Sequence, residues 1–103
     1  GYLLPALSVG ARGATLALAN ILPEDCCKLV SLYKEGKFEE ALKLQQKMIE
    51  INFTVTGRFG VPALKYALNK LGFKGGEPRR PLKSLSKDNR KIVDKVLKEY
   101  LAN

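Results

Sequence analysis

An uncharged run over residues 13–20 (GATLALAN) constrains this chain more than any other feature. Small side chains at Thr15 and Ala17 alternate with large ones at Leu16 and Leu18. This alternation predicts a buried β-strand, with Thr15 and Ala17 facing a tight interior and the two leucines packing under helices. A buried strand needs neighbours, because each unpaired backbone N–H or C=O group costs about 1–3 kcal/mol. No later segment has a strand pattern, so we expect the rest of the sheet to lie outside these 103 residues.

Apolar periodicity and helix-capping residues predict that the remainder of the chain is helical. The expected helices cover approximately residues 2–9, 23–33, 37–52, 62–71 and 87–101. One strand followed by helices is natural for the end of a (β/α)8 barrel. The fold prediction is therefore an α/β chain, mostly α within these residues. It comprises the C-terminal fragment of a TIM barrel, with the last barrel strand, its helix and additional C-terminal helices. We assign residues 1–36 to the end of the barrel and residues 37–103 to a C-terminal helical extension.

The first 22 residues carry a single charge and are long enough to cross a bilayer. We expect no membrane span, because Arg12 would lie mid-span at a cost of about 2.5–3.5 kcal/mol. Pro5, Gly10 and Gly13 would also interrupt the helix. The chain opens at Gly1 without a start-like segment, and we expect a piece cut from a longer polypeptide.

The formal net charge of +8 raises the alternative of a small basic helical module that binds nucleic acid or a partner protein. The basic side chains concentrate between residues 74 and 98, where there are nine of them against three acidic ones. Few aromatic residues and no nucleic-acid motif accompany them, so we expect a solvated surface and no nucleic-acid partner.

Metal and phosphate sites are not indicated. The only cysteines are adjacent, at Cys26 and Cys27, and no histidine is present, so a Cys/His zinc site has too few ligands. Gly75-Gly76 follows no strand and precedes no GK[ST] sequence, unlike a phosphate-binding loop. We expect neither a metal nor a cofactor.

Several short motifs, in this order and spacing, make the chain resemble the C-terminal part of the dihydrodipicolinate synthase and N-acetylneuraminate lyase family. They are Gly10-Ala11-Arg12-Gly13, Ala17-Leu18-Ala19-Asn20, Tyr33-Lys34-Glu35-Gly36-Lys37-Phe38-Glu39-Glu40-Ala41, Val61-Pro62-Ala63-Leu64-Lys65, Leu71-Gly72, Arg79-Arg80-Pro81-Leu82 and Leu85-Ser86. The second motif, together with Arg58-Phe59-Gly60-Val61-Pro62, looks most like the 4-hydroxy-2-oxoglutarate aldolase branch.

The resemblance implies a pyruvate-dependent lyase, of the 4-hydroxy-tetrahydrodipicolinate synthase or 4-hydroxy-2-oxoglutarate aldolase type. In that family a strand-six lysine forms a Schiff base with pyruvate, and the iminium allows a C–C bond to a short aldehyde to form or break. That lysine has no counterpart here, so we predict no catalytic residue in this chain and no activity of the chain alone. Lys28, Lys34 and Lys43 fall on outward helix faces among other charges and are poor substitutes.

The resemblance also implies that Thr15 and Ala17 face the bound keto acid and line one wall of its pocket. The alternative is that both are only small barrel-core residues. Relatives that cleave sialic acids carry a polar residue at the position of Ala17. The methyl group there therefore argues against a polyhydroxylated sugar acid as the substrate. The expected partners are pyruvate and a short aldehyde or hydroxy-keto acid, in a cytoplasmic homotetramer.

One expectation concerns the helix over residues 23–33. Its apolar stripe at Cys26, Leu29, Val30 and Tyr33 matches a helix that covers a sheet. Without that sheet we expect the stripe to be uncovered and the isolated chain to aggregate or oligomerise.

Overall fold

Five α-helices make up most of the computed structural model, which describes residues 1–102. They are α1 (Leu3–Ser8), α2 (Pro23–Lys34), α3 (Phe38–Phe53), α4 (Val61–Lys70) and α5 (Lys87–Ala102). Each predicted helix is present, with its ends within two residues of those expected from the sequence. The mostly helical character of the chain is thereby confirmed.

The predicted strand is wrong for the chain as it stands: no β-strand occurs among the described residues. Leu16, in the middle of the run, is extended at φ −119° and ψ 130°, and Ala17–Asn20 form a 3-10 helix. The backbone closes local bonds there, from Ala19 N to Leu16 O at 3.2 Å and from Ile21 N to Leu18 O at 3.0 Å. A lone strand has no partner for its N–H and C=O groups, whereas a 3-10 turn satisfies some of them within the segment.

Local signals at both ends explain the position of α2. Pro23 occupies the first turn, where its missing N–H costs nothing, and Glu24 and Asp25 place negative charge at the positive end of the helix. At the other end Gly36 has φ +77°, a left-handed conformation that glycine adopts without a steric penalty. The turn at Gly36 leads directly into α3.

The hydrophobic core joins all five helices, the 3-10 turn and the segment between α3 and α4. Its largest fully buried side chains are those of Leu29, Ile51, Val55 and Val93. In α2, Cys26 is 6% exposed and Leu29 0% exposed, so the expectation that this stripe is uncovered is wrong for both. Helices α3 and α1, together with the 3-10 turn, supply the apolar surface that the sequence assigned to the absent sheet.

A buried glutamine on α3 holds α1 in place. Leu4 N donates a hydrogen bond to Gln45 Oε1 at 2.9 Å, and Gln45 Nε2 donates to Gly1 O at 3.2 Å. A helix of six residues cannot satisfy the N–H groups of its first turn internally. Gln45 supplies one of the missing acceptors, and Leu3 and Leu7 of α1 are then buried in the core.

The connection from α3 to α4 is more helical than expected. The sequence predicted a break over residues 54–60, but α3 continues as a π-helical turn over Thr54–Arg58. Thr54 Oγ1 donates to Glu50 O at 2.8 Å within this turn. The chain direction changes only at Gly60, with φ +67°, immediately before α4.

The long connection between α4 and α5 is anchored on α4. Gly75 N donates to Asn69 Oδ1 at 2.8 Å, and Lys65 Nζ donates to Gly75 O at 2.9 Å. A Cβ atom at Gly75 would lie 2.2 Å from Lys65 O, so this close approach of two backbones requires glycine. The connection ends at Ser86, whose Oγ accepts a hydrogen bond from Asn89 N at 3.2 Å, as the predicted cap requires.

Candidate functional site

The two predicted pocket residues, Thr15 and Ala17, share one side of the segment before α2. Both are exposed, whereas Leu18 is 3% exposed and Leu16 packs partly against the core. The predicted alternation therefore holds over residues 15–18, because Leu16 is still extended and the turn begins only after it. It ends at Ala19, a small residue that packs partly against the core. Thr15 and Ala17 present a hydroxyl and a methyl group on the side away from the helices.

An apolar groove of about 410 Å³ separates this segment from α1 and α2. Ten described residues line it: Leu3, Gly13, Ala14, Leu16, Ala19, Pro23, Cys26, Cys27, Val30 and Ser31. None of them is a lysine, an acid or a histidine. The groove can bury apolar surface, but apart from the two cysteines its lining offers no group that commonly transfers a proton to a carbonyl substrate.

The cysteines beside this groove do not form a reactive pair. Burial raises the pKa of the Cys26 thiol, and the charges of Cys27 and Asp25 raise it further. A thiol is nucleophilic only as thiolate, so Cys26 acts as a small apolar side chain. Cys27 is exposed on the neighbouring face of α2.

The three lysines that we considered as substitutes for the absent catalytic lysine point away from the core. Lys28, Lys34 and Lys43 are all exposed. A Schiff-base lysine needs a desolvated pocket or a close cationic neighbour to become nucleophilic. All three lysines are therefore solvated, and the absence of a catalytic residue from this chain stays a prediction.

A second cleft, of about 280 Å³, lies between α4 and the connection to α5. Tyr66 hydroxyl, at its edge, donates to both oxygens of Asp94 at 2.9 and 3.0 Å. Burial raises the pKa of Tyr66, and the hydrogen bond to Asp94 adds to the increase. Lys70 Nζ lies 3.7 Å from Asp94, and the Arg90 guanidinium lies 5.5 Å from the Tyr66 ring centre.

This arrangement ties α4 to α5, and Tyr66 is not a general base in it because the phenol keeps its proton at neutral pH. We did not single out Tyr66 or Asp94 from the sequence. The only available signal was the spacing of Tyr66 and Lys70, four residues apart on one helix face.

A comparable contact joins the ends of α2 and α5. The Tyr100 hydroxyl donates to Asp25, and Lys47 Nζ lies 4.3 Å from the centre of the Tyr100 ring. Burial raises the pKa of Tyr100 well above its ordinary value, and Asp25 contributes to the same shift. The contact is structural, because a buried phenol that holds its proton neither attacks nor deprotonates a substrate.

Potential metal ligands are scattered over the described part of the chain. Within residues 1–102, no group of three or more His, Cys, Asp and Glu side chains is placed to hold a metal ion. No helix in the same range is both long and apolar enough to cross a membrane.

Comparison with protein families gives one match over nearly the whole chain: the model described as the dihydrodipicolinate synthetase family fits residues 1–100. Among curated proteins, the 4-hydroxy-tetrahydrodipicolinate synthase of Caldicellulosiruptor bescii is 37% identical over 98 residues, covering 95% of this chain and 33% of the relative. The protein of the same name from Caldicellulosiruptor saccharolyticus is 37% identical over 101 residues, covering 98% of this chain and 34% of the relative. The chain thus spans about a third of the length of these relatives.

Two solved structures share the fold. Dihydrodipicolinate synthase from Oceanobacillus iheyensis superposes with a TM-score of 0.82 over 94% of this chain and 33% of its own, at 24% identity. A dihydrodipicolinate synthase family protein from Coccidioides immitis superposes with a TM-score of 0.81 over 98% of this chain and 35% of its own, at 31% identity. The matched region is the C-terminal part of these barrel structures.

Proposed function

Because this chain belongs to the dihydrodipicolinate synthetase family, we propose that it is the C-terminal part of a pyruvate-dependent Schiff-base lyase. The complete enzyme makes or breaks a C–C bond between pyruvate and a short aldehyde. Its lysine attacks the keto group of pyruvate, and water leaves to give an iminium. The iminium withdraws electrons from the adjacent carbon, so that a C–C bond at that carbon can form or break. The observation that carries this proposal is the family match over residues 1–100.

Within that enzyme, residues 1–36 complete the barrel and residues 37–103 form the helical extension. Residues 13–20 become the last barrel strand once a neighbouring strand supplies the backbone partners that they lack here. The extended conformation of Leu16 and the burial of Leu18 support this, because the helix-facing side of the strand is already in place. Thr15 and Ala17 then face the barrel interior, where active sites of this fold lie at one end.

The two side chains have different roles in the proposed pocket. The Thr15 hydroxyl can donate a hydrogen bond to the carboxylate of the keto acid, an interaction worth about 1.5–3 kcal/mol when the acceptor is charged. Ala17 contributes a methyl group and leaves room for a short aldehyde rather than a polyhydroxylated one. The names of the two Caldicellulosiruptor relatives favour the synthase type over the aldolase type. We further propose a cytoplasmic homotetramer for the complete protein.

A chimera tests the proposal. This chain replaces the matched third of the Caldicellulosiruptor bescii synthase, and the purified chimera is incubated with pyruvate and borohydride. We expect one reduced pyruvate adduct on a lysine of the bescii portion, together with synthase activity. Thr15→Val in the same chimera should raise the KM for pyruvate about tenfold, the equivalent of about 1.4 kcal/mol.

A chimera that has native circular dichroism and a cooperative thermal transition but traps no pyruvate would contradict the proposal.

The alternative of a basic nucleic-acid-binding module is not favoured by the family match. It predicts binding to duplex DNA that weakens steeply with salt, and we expect no such binding.

A further inference from the structure

The cleft between α4 and the connection to α5 contains a buried donor without a partner. The Arg90 guanidinium forms part of its wall and lies 5.5 Å from the centre of the Tyr66 ring. Arg90 Nε is buried, and within residues 1–102 no atom accepts a hydrogen bond from it. Buried polar atoms of folded proteins are nearly always hydrogen-bonded. An unpaired donor beside an open cleft therefore indicates a place where a ligand can supply the acceptor.

Two further donors line the same cleft. The Asn69 amide is held by the hydrogen bond that its Oδ1 accepts from Gly75 N at 2.8 Å, and its Nδ2 remains available. Lys70 Nζ lies 3.7 Å from Asp94 Oδ1, which is beyond ordinary hydrogen-bond length, so this ion pair leaves N–H groups of Lys70 available. With Arg90, these side chains place one amide and two cations around about 280 Å³ of space.

The acceptors at the cleft are already engaged. Asp94 accepts from the Tyr66 hydroxyl through both of its oxygens and pairs with Lys70. Glu77 is the one acidic side chain in the described lining, and it accepts a hydrogen bond from the Ser84 hydroxyl. A ligand that matches this imbalance supplies acceptors rather than donors. The negative charge of Glu77 opposes an anion, so its removal provides a test of sign.

The elements that enclose the cleft carry the whole net charge of the chain. Residues 61–98, which comprise α4, the connection and most of α5, contain eleven basic and three acidic side chains. This excess equals the formal net charge of +8, so the remainder of the chain is neutral overall. A positive field of this kind concentrates anions near the surface, and a cleft with walls of low dielectric constant strengthens the effect.

We propose that this cleft binds a phosphate group, either inorganic phosphate or the phosphate of a small ester. The guanidinium of Arg90 presents paired N–H groups that match phosphate oxygens, and Lys70 adds a point charge. A phosphate group has more oxygens than a carboxylate for three donor side chains, and its second negative charge gains more from the basic surroundings. Pro62, Pro78 and Leu85 add apolar surface that can cover the carbon atoms of an ester.

The site differs from a glycine-rich phosphate-binding loop. Its donors are side chains on two helices, whereas Gly75 is bonded through its backbone to Lys65 and Asn69 of α4. Lys70 and Arg90 are 20 residues apart in the sequence, and only the fold brings them to one cleft. A bound phosphate group bridges α4 and α5. The inference is independent of the proposed lyase function.

Nuclear magnetic resonance of the 15N-labelled, 103-residue chain tests the site directly. Inorganic phosphate is titrated at about pH 7.5, where phosphate is mostly dianionic, and sodium chloride keeps the ionic strength constant. We expect the Nε–H signal of Arg90 to shift to saturation, together with the backbone amide signals of Asn69 and Gly76. Shifts that spread evenly over the basic surface and do not saturate would contradict a defined site.

A matched pair of substitutions on α5 separates the cleft from the general field. Arg90→Gln and Lys91→Gln each remove one positive charge, but only Arg90 lines the cleft, and Lys91 is exposed. Arg90→Gln should weaken phosphate binding about tenfold, and Lys91→Gln less than about twofold. Equal weakening by the two substitutions would show that the attraction is only long-range and would overturn the site. Dispersion of the amide signals checks that each variant is folded.

Glu77→Gln is the second arm, and it stands even if Arg90→Gln does not fold. The substitution removes the opposing charge and keeps an acceptor for the Ser84 hydroxyl, so phosphate binding should strengthen about threefold. The control is Glu39→Gln on α3, an exposed position that loses the same charge outside the cleft. Equal effects of Glu77→Gln and Glu39→Gln would mean that phosphate does not lie in the cleft.

Glycerol 3-phosphate and malonate distinguish the possible ligands. Tighter binding of glycerol 3-phosphate than of inorganic phosphate assigns the cleft to a phosphate ester, and the reverse order assigns it to free phosphate. Malonate, which carries two carboxylates, should bind at least about fivefold more weakly than either. Equal binding of malonate would overturn the assignment to a phosphate group. Pyruvate is absent from all of these measurements, so failure of the phosphate site can be told apart from failure of the proposed function.

Discussion

Leu4 N on α1 donates a hydrogen bond to Gln45 Oε1 on α3 at 2.9 Å, across 41 residues of sequence. Gln45 is 6% exposed, and its Nε2 also donates to Gly1 O at 3.2 Å. One buried side chain therefore fixes the N-terminal helix against the long central helix. The chain before α2, which contains Thr15 and Ala17, starts from this anchored helix.

Replacement of Gln45 should destabilise the chain measurably. Gln45→Ala leaves Leu4 N buried without its acceptor and removes side-chain packing, so we expect the free energy of unfolding to fall by about 1–3 kcal/mol. Urea denaturation followed by circular dichroism in dilute solution measures the change. Gln46→Ala is the matched control, and this exposed neighbour should change stability by less than about 0.5 kcal/mol. Equal effects of the two substitutions would show that the contact to α1 contributes nothing.

Stability should fall at alkaline pH because of two tyrosines. Burial raises the pKa of Tyr100, as it does that of Tyr66, and the carboxylates of Asp25 and Asp94 add to these shifts. An unfolded chain loses phenolic protons near pH 10, whereas the folded chain holds them to higher pH. The stabilising contribution is therefore complete below about pH 10 and is lost as pH rises through the folded-state values.

Thermal unfolding between pH 8 and pH 11 tests this dependence. Tyr100→Phe should flatten the alkaline decline, since it removes the titrating group and keeps the ring. The control is Tyr2→Phe, where the tyrosine is 84% exposed, and it should leave the decline unchanged. An unaltered decline in Tyr100→Phe would mean that other groups cause it.

The sequence predicted the helices well because their signals are local. Pro23 with its neighbouring acids, Gly36 and the Ser86 cap each act within one helical turn. The strand over residues 13–20 was predicted from side-chain alternation alone, and a strand depends on backbone partners that alternation does not supply. The structure keeps the side-chain alternation and replaces the strand by a 3-10 turn.

Tertiary contacts were harder to predict. Periodicity places Gln45 on the inner face of α3, but nothing local indicates that its amide bonds to Gly1 and Leu4. For the same reason the sequence did not indicate the Tyr66–Asp94 contact. The position of Thr15 and Ala17 on the same face was predictable, since it needs only the two-residue period of an extended chain. Their contact with substrate stays a prediction.

The isolated chain should form no Schiff base. After incubation with pyruvate and borohydride, we expect the intact mass of the 103-residue chain to be unchanged, because its candidate lysines are solvated. Mass spectrometry checks the result, with the chimera as the positive control. A reduced pyruvyl group on Lys28, Lys34 or Lys43 would contradict the assignment of the chemistry to residues outside this chain.

The kinetics of Ala17→Leu in the chimera test the proposed pocket wall most directly. Interior overpacking costs about 1–3 kcal/mol, so we predict that kcat/KM for pyruvate falls about 5- to 150-fold while the chimera stays folded. Ala11→Leu, an exposed alanine in the turn after α1, is the matched control and should retain the parent value. A folded Ala17→Leu chimera with unchanged kcat/KM would show that residue 17 does not face the pocket, and would contradict the claim that this chain forms one of its walls.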